Sequence, residues 1–237
     1  MTFYKLEHSV DPLEIGVFDQ IQKFKVVPGS LEPNAFMNID LEGELEPAKS
    51  FPQLFLEKRA KWTDFLHLVP GAGNFLLISP KVLSVMHRHE MDNYQTFEVE
   101  VVRGQETYVY YLLRFPWSRN RDYIDWERSV FGHTTYMWRE LIAEMQFKNY
   151  EDYYAFNKPP FRKDGYVIVR KIFFREDVIE KDIFRLLFIS SGVYVSESLK
   201  DALQKEGITG CRFVALGDLG ERVTKENYPN MVWPSPK

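Results

Sequence analysis

The stretch VYVSESLKDALQKEGITGCRFVAL, residues 193–216, decides how the chain is read. Val193, Tyr194 and Val195 favour a strand. Ser196 stands where a helix N-cap belongs, and Glu197 follows in the first turn. Leu199, Ala202 and Leu203 then fall at the i, i+3, i+4 positions of a buried stripe. Gly207 is a natural left-handed residue just past the helix, and Ile208 is placed for the hydrophobic contact that accompanies such a stop. A second strand pattern follows, so the stretch is a complete strand–cap–helix–strand unit.

A second stretch, LLISPKVLSVMHRHEMDNYQTFEVEVV at residues 76–102, has the same grammar. Ser79 is its N-cap, Pro80 sits at N1 where a missing N–H costs nothing, and Val82, Val85 and Met86 form the stripe. Phe97 lies 18 residues after Ser79 and Phe213 lies 17 after Ser196, so the match needs one inserted residue. Neither helix is long enough to hold alone, and each must bury its stripe against a sheet. Because strand–serine–helix–strand is common, pattern alone leaves open whether the two units are related.

Outward from these units, FEVEVV and TYVYYLLR read as a hairpin across Gly104, and YVIVRKIFF and DIFRLLFIS as further strands. In MWRELIAEM, Met137, Leu141 and Met145 recur at i+4 spacing, which predicts a helix. Asn149 is an N-cap for a short helix in YEDYYAF, ended by NKPPF. Runs FYKLEH and KFKVV near the start alternate with breaks at Pro12, Pro28, Gly29 and Pro33. With 19 Phe, 13 Tyr and 5 Trp, substantial β content is expected. The expected fold is α+β: a mixed or mainly antiparallel sheet with short packed helices, in two related strand–helix–strand halves. One domain is expected over 1–237, with N-terminal strands and an acidic stretch in 1–54 and a tail in 217–237.

Thirty basic residues against 34 acidic ones give a net charge of −4, which argues against broad nucleic-acid binding and leaves room for a basic protein partner. A single cysteine, Cys211, cannot form an intramolecular disulfide. No secretory signal pattern and no run of the ~18–20 apolar residues needed for a membrane span is visible, so a cytoplasmic protein is expected.

The segment most suited to a partner is acidic. From Glu32 to Glu46 there are five acidic residues and no basic one. In IDLEGELE, Ile39, Leu41 and Leu45 alternate with Asp40, Glu42, Glu44 and Glu46, as in a hairpin or edge strand with one acidic face. Such an edge would steer association with a basic cleft; an ordinary solvated face is the plainer alternative.

Other constellations point less far. His87 and His89 in HRHE would project ~200° apart on a helix, which is poor for one metal ion. Asp122, Asp125 and Glu127 admit a metal-dependent hydrolase reading, against a solvated turn capped by Ser129. Cys211, entering a strand, reads as a packing residue. YVYYLLRFPW reads as core rather than as a nucleic-acid platform. There is no P-loop, GxGxxG, HExxH or GxSxG pattern. No catalytic residue, metal or cofactor is therefore expected.

The run IFRLLFISSGVYVSESLKDALQKEGITGCRF resembles a family of bacterial immunity proteins, number eleven of the immunity series and formerly a domain of unknown function. The resemblance rests on Ile183-Phe184-Arg185, on Val195-Ser196-Glu197 with Leu199-Lys200 and Ala202-Leu203, and on Thr209-Gly210 with Phe213. KWTDFL, LLISPKVLSVM and YIDWERSVF, the last through Asp125 and Ser129, extend it over roughly residues 55–216. It implies a non-enzymatic inhibitor that binds a cognate toxin encoded beside it. In that reading Ser79, Ser196 and Gly207 build the scaffold, and partner binding falls to Glu32, Asp40, Glu42, Glu44 and Glu46. A general protein-interaction module is the remaining alternative.

Overall fold

Among the described residues, the strand-forming runs pair into three sheets. The computed structural model describes residues 2–29, 51–68, 75–116, 120–135, 141–157, 165–186 and 192–216. After a short helix, α1 (Pro12–Ile15), the first unit comprises β4 (Phe65–Leu66), β5 (Leu76–Ile78), α2 (Pro80–Met86), β6 (Gln95–Arg103) and β7 (Glu106–Arg114). Its strands lie in the order β4-β5-β7-β6, all antiparallel. β6 and β7 form the expected hairpin, closed at Gly104. Two strands extend the sheet beyond β6: β3 (Gln53–Leu56), parallel to it, and then β2 (Ile21–Lys25) at the edge. The fold is α+β with a mixed, mainly antiparallel, strand arrangement.

The second unit repeats this order. β11 (Ile183–Leu186), β12 (Gly192–Ser196), α4 (Glu197–Lys205) and β13 (Cys211–Ala215) need a fourth strand, and the chain supplies it from its first segment, β1 (Phe3–His8). The sheet runs β11-β12-β1-β13, antiparallel throughout, so β1 occupies the place that β7 holds in the first unit.

The helix starts are built alike. The Ser79 hydroxyl accepts from the Val82 N–H (3.3 Å) and that of Ser196 from the Leu199 N–H (3.2 Å). Each serine is held by an aspartate that immediately precedes the neighbouring strand. Ser79 donates its N–H to the Asp64 carbonyl (2.8 Å) and its hydroxyl to Asp64 Oδ1 (2.8 Å). Ser196 donates its N–H to the Asp182 carbonyl (2.7 Å) and its hydroxyl to Asp182 Oδ1.

Each aspartate then reaches into the other unit. Asp64 Oδ2 accepts from the N–H and hydroxyl of Thr209, in the turn after α4. Asp182 Oδ2 accepts from the Glu90 N–H, in the turn after α2. The units therefore clasp one another reciprocally. α2 and α4 meet between them, where Val82, Val85, Met86, Leu199 and Leu203 share one core with Leu6, Ile78, Leu113, Ile183 and Val195.

α4 ends as its sequence requires. Gly207 has φ +64, its N–H donates to the Gln204 carbonyl, and the Ile208 N–H reaches back to Leu203. This pair of bonds satisfies carbonyls that the last turn would leave open.

A third sheet, β10-β8-β9, is formed by β8 (Val130–Thr134), β9 (Leu141–Met145) and β10 (Tyr166–Lys171). β9 corrects the helix expected in MWRELIAEM: Leu141 pairs with Thr134 and Met145 with Phe131. Leu141 and Ile142 remain exposed while Met145 packs against the aromatic core, and ladder pairing with β8 satisfies the backbone. α3 (Tyr150–Asn157) starts where Asn149 Oδ1 accepts from the Asp152 N–H (2.9 Å). The core under this sheet is largely aromatic, joining Trp126, Phe131, Phe147 and Tyr153 to Phe3, Phe174, Phe184 and Tyr194. Alternate residues of β12 thus serve two cores: Val193 and Val195 face the helices, and Tyr194 faces the rings.

Candidate functional site

The acidic residues Glu32, Asp40, Glu42, Glu44 and Glu46 lie outside the described residues. Along the chain their segment lies between β2 and β3.

The other constellations resolve into local bonds. His87 caps α2, with Nε2 3.2 Å from the Tyr94 hydroxyl, while His89 Nδ1 stands 3.5 Å from Asp182 Oδ2. The two imidazoles thus have separate partners. Asp122 sits in a 3₁₀ turn, Asn120–Tyr123. Asp125 closes the next turn: its carboxylate accepts from the Arg128 N–H (3.1 Å), and its carbonyl from the Ser129 hydroxyl (2.6 Å). Ser129 in turn accepts from the Phe173 N–H (3.0 Å), pinning the chain beyond β10. Among the described residues, no three His, Cys, Asp or Glu side chains group as metal ligands. Burial, with Glu14 and Asp64 adding to it, pushes the Cys211 thiol up to about 12. Little thiolate is present at neutral pH, so Cys211 is poorly suited to nucleophilic attack.

A buried polar seam has no counterpart in the sequence reading. Gln20 is almost fully enclosed; its amide donates to the Lys61 carbonyl (2.9 Å) and to Thr63 Oγ1 (3.2 Å), and its oxygen accepts from the His67 N–H (3.0 Å). His67 Nδ1 stands 2.8 Å from Asp19 Oδ1, and the His8 ring meets His67 edge-on at 4.8 Å. Burial, reinforced by His67, lowers the His8 pKa to about 3, so His8 is neutral at physiological pH.

The side chains best arranged to meet another molecule line a cleft of about 300 Å³: Trp62, Thr63, Asp64, Tyr108, Tyr110 and Thr209. Tyr108 and Tyr110 share one face of β7 because side chains alternate along a strand. Tyr110 is buried and donates to the Thr63 carbonyl (2.8 Å), whereas Tyr108 is 50% exposed. Trp62 lies edge-on to Tyr108 at 4.7 Å and nearly parallel to Tyr110 at 6.2 Å. Its indole N–H donates to Glu106 Oε2 (3.2 Å), which also takes two N–H donors of Arg103 (3.1 and 2.9 Å). The Arg103 guanidinium covers Trp62 at 5.1 Å. These bonds hold the Glu106 carboxyl below its ordinary pKa, led by Arg103 and then Trp62.

The cleft lies where the two units clasp, since Asp64 belongs to one and Thr209 to the other. Tyr108 departs from the core reading of YVYYLLRFPW. Apart from Arg114 the run is aromatic and aliphatic, and nothing in it signals that Tyr108 stays exposed. Trp62 in KRAKWTDFL offers only a weak signal, a tryptophan flanked by charge.

The model of the immunity protein family (Imm11) matches residues 22–218, most of the chain. The chain belongs to this family. The Imm11 match takes in both units except β1, together with the acidic connection, which the sequence resemblance over 55–216 did not reach. No curated protein matches the chain. Among the described residues, no helix is long and apolar enough to cross a membrane.

Proposed function

We propose that the chain is an immunity protein that binds a cognate bacterial toxin one-to-one in the cytoplasm of the producing cell and neutralises it by covering its working surface. The observation that carries this reading is the Imm11 match over residues 22–218. Occlusion needs no cofactor and no catalytic group, which suits a chain whose polar side chains serve caps, turns and a clasp. Partner steering is assigned to Glu32, Asp40, Glu42, Glu44 and Glu46. A run of acidic side chains complements a basic toxin cleft and accelerates encounter at low salt.

The test is calorimetric titration of the full chain with the C-terminal domain of the toxin encoded by the adjacent gene, alongside a growth assay. One-to-one binding that restores growth is expected. Changing Asp40, Glu42, Glu44 and Glu46 together to Ser is expected to slow association at least tenfold and to flatten its salt dependence. Binding unchanged by the four substitutions removes the acidic edge from the interface. No binding overturns the immunity reading for this chain.

A further inference from the structure

We propose that the Trp62–Tyr108–Tyr110 cleft receives a cationic side chain, lysine or arginine, presented by the toxin. The inference rests on the immunity reading and names a contact within it. Three ring systems surround the opening: Trp62 and Tyr108 meet at 4.7 Å, and Tyr110 forms the floor. Aromatic faces carry partial negative charge, and rings grouped around one opening are a recurrent way of holding a cation. Asp64 adds a carboxylate to the lining, and none of the described lining residues is basic.

The nearby cations are already committed. Arg103 lies over Trp62 and is bonded to Glu106, and Lys61 Nζ donates to the Leu13 carbonyl at 2.7 Å. Asp64 is the acidic side chain among the described lining residues. Its effect reaches the Tyr110 hydroxyl, whose pKa is raised by burial first and by Asp64 second. The cleft volume of about 300 Å³ suits one long side chain rather than a whole secondary-structure element. Trp62 and Tyr108 are of the residue types that dominate interface energetics. Trp62 is already locked by its bond to Glu106, so little rotamer freedom remains to be lost when a partner docks.

Tyr108 is the residue to change, because its exposed ring makes no hydrogen bond on which the clasp depends. The full chain and its Tyr108→Phe, Tyr108→Ala and Tyr108→Lys variants are titrated with the adjacent-gene toxin domain, with thermal unfolding and gel filtration of each free variant. Tyr108→Phe is expected to bind within about threefold of the wild type, Tyr108→Ala about 30-fold more weakly, and Tyr108→Lys more weakly again because it brings a competing cation.

Equal binding by all four proteins overturns the proposal while leaving the immunity function intact. Loss in Tyr108→Ala without further loss in Tyr108→Lys overturns the cationic occupant. A dimer that disappears in Tyr108→Ala assigns the cleft to a second copy. A large fall in the free chain's stability assigns it to the protein's own chain, and both results overturn the proposal. Failure of the wild-type chain to bind the toxin overturns the immunity reading and this contact with it.

Discussion

Asp64 and Thr209, separated by 145 residues, exchange three hydrogen bonds: the Asp64 N–H donates to Thr209 Oγ1, and Asp64 Oδ2 accepts from the Thr209 N–H and hydroxyl. The same carboxylate holds the N-cap of α2 through Ser79. One side chain thus fixes a helix start and a contact between units.

Asp64→Ala leaves the Ser79 hydroxyl and the Thr209 N–H without their acceptor, at a cost of about 3 kcal/mol. Thr209→Val removes the two bonds of the Thr209 hydroxyl, one of which is also lost in Asp64→Ala. In urea unfolding, the double variant is expected to lose less than the sum of the two single losses, by about 1 kcal/mol. Strict additivity would show that the clasp does not act as a unit.

Ser79→Ala and Ser196→Ala are each expected to cost about 1–2 kcal/mol, at the upper end for N-caps because an aspartate loses its donor as well. A loss in one variant but not the other, measured by the same unfolding curves, would contradict the equivalence of the units.

Two glycines separate backbone conformation from close approach. Gly207 has φ +64 and open space where a Cβ would lie, so Gly207→Ala is expected to cost about 1 kcal/mol. Gly210 has φ +83, and a Cβ there would stand 2.2 Å from the Phe65 carbonyl oxygen. Gly210→Ala is expected to be much worse, because the clash is with backbone that α4, β4 and the Asp64 clasp hold in place. Comparable melting temperatures for the two variants would refute this distinction.

His8 supplies a pH dependence. Its folded pKa lies near 3, well below the ordinary value of 6.5, so the unfolded chain binds the extra proton first. The resulting contribution to stability is present above pH 6.5 and is lost as pH falls towards 3. Between pH 7 and pH 5 the wild type should lose about 2 kcal/mol through this residue. Denaturant curves of His8→Leu should lack that part of the slope, and identical slopes would remove His8 as its source.

Much of this architecture is legible in the residues themselves. Ser79, Ser196, Gly207, Asn149 and the Gly104 hairpin act locally, and each needs only its sequence neighbours. Asp64 and Asp182 were not legible as caps of caps: each works across a strand pair on a serine 14 or more residues away. β9 escaped for a similar reason, since the apolar spacing of Leu141 and Met145 describes a helix and only the partner β8 decides otherwise. The cleft combines Trp62 with Tyr108 through sheet packing, and the charge of Asp64 matters there only because two units meet.

The borrowed strand β1 has a consequence for synthesis. The first unit has all its strands once residue 114 has emerged from the ribosome, but β1 must wait for β12 and β13, the last strands described. At about 5–20 residues per second that interval is on the order of ten seconds. During it the strand segment Phe3–His8, with its buried residues Phe3 and Leu6, has no sheet to join, and the Asp64 clasp has no Thr209 to hold. A partly made chain therefore lacks the junction that forms the aromatic cleft until Thr209 and β13 have been synthesised.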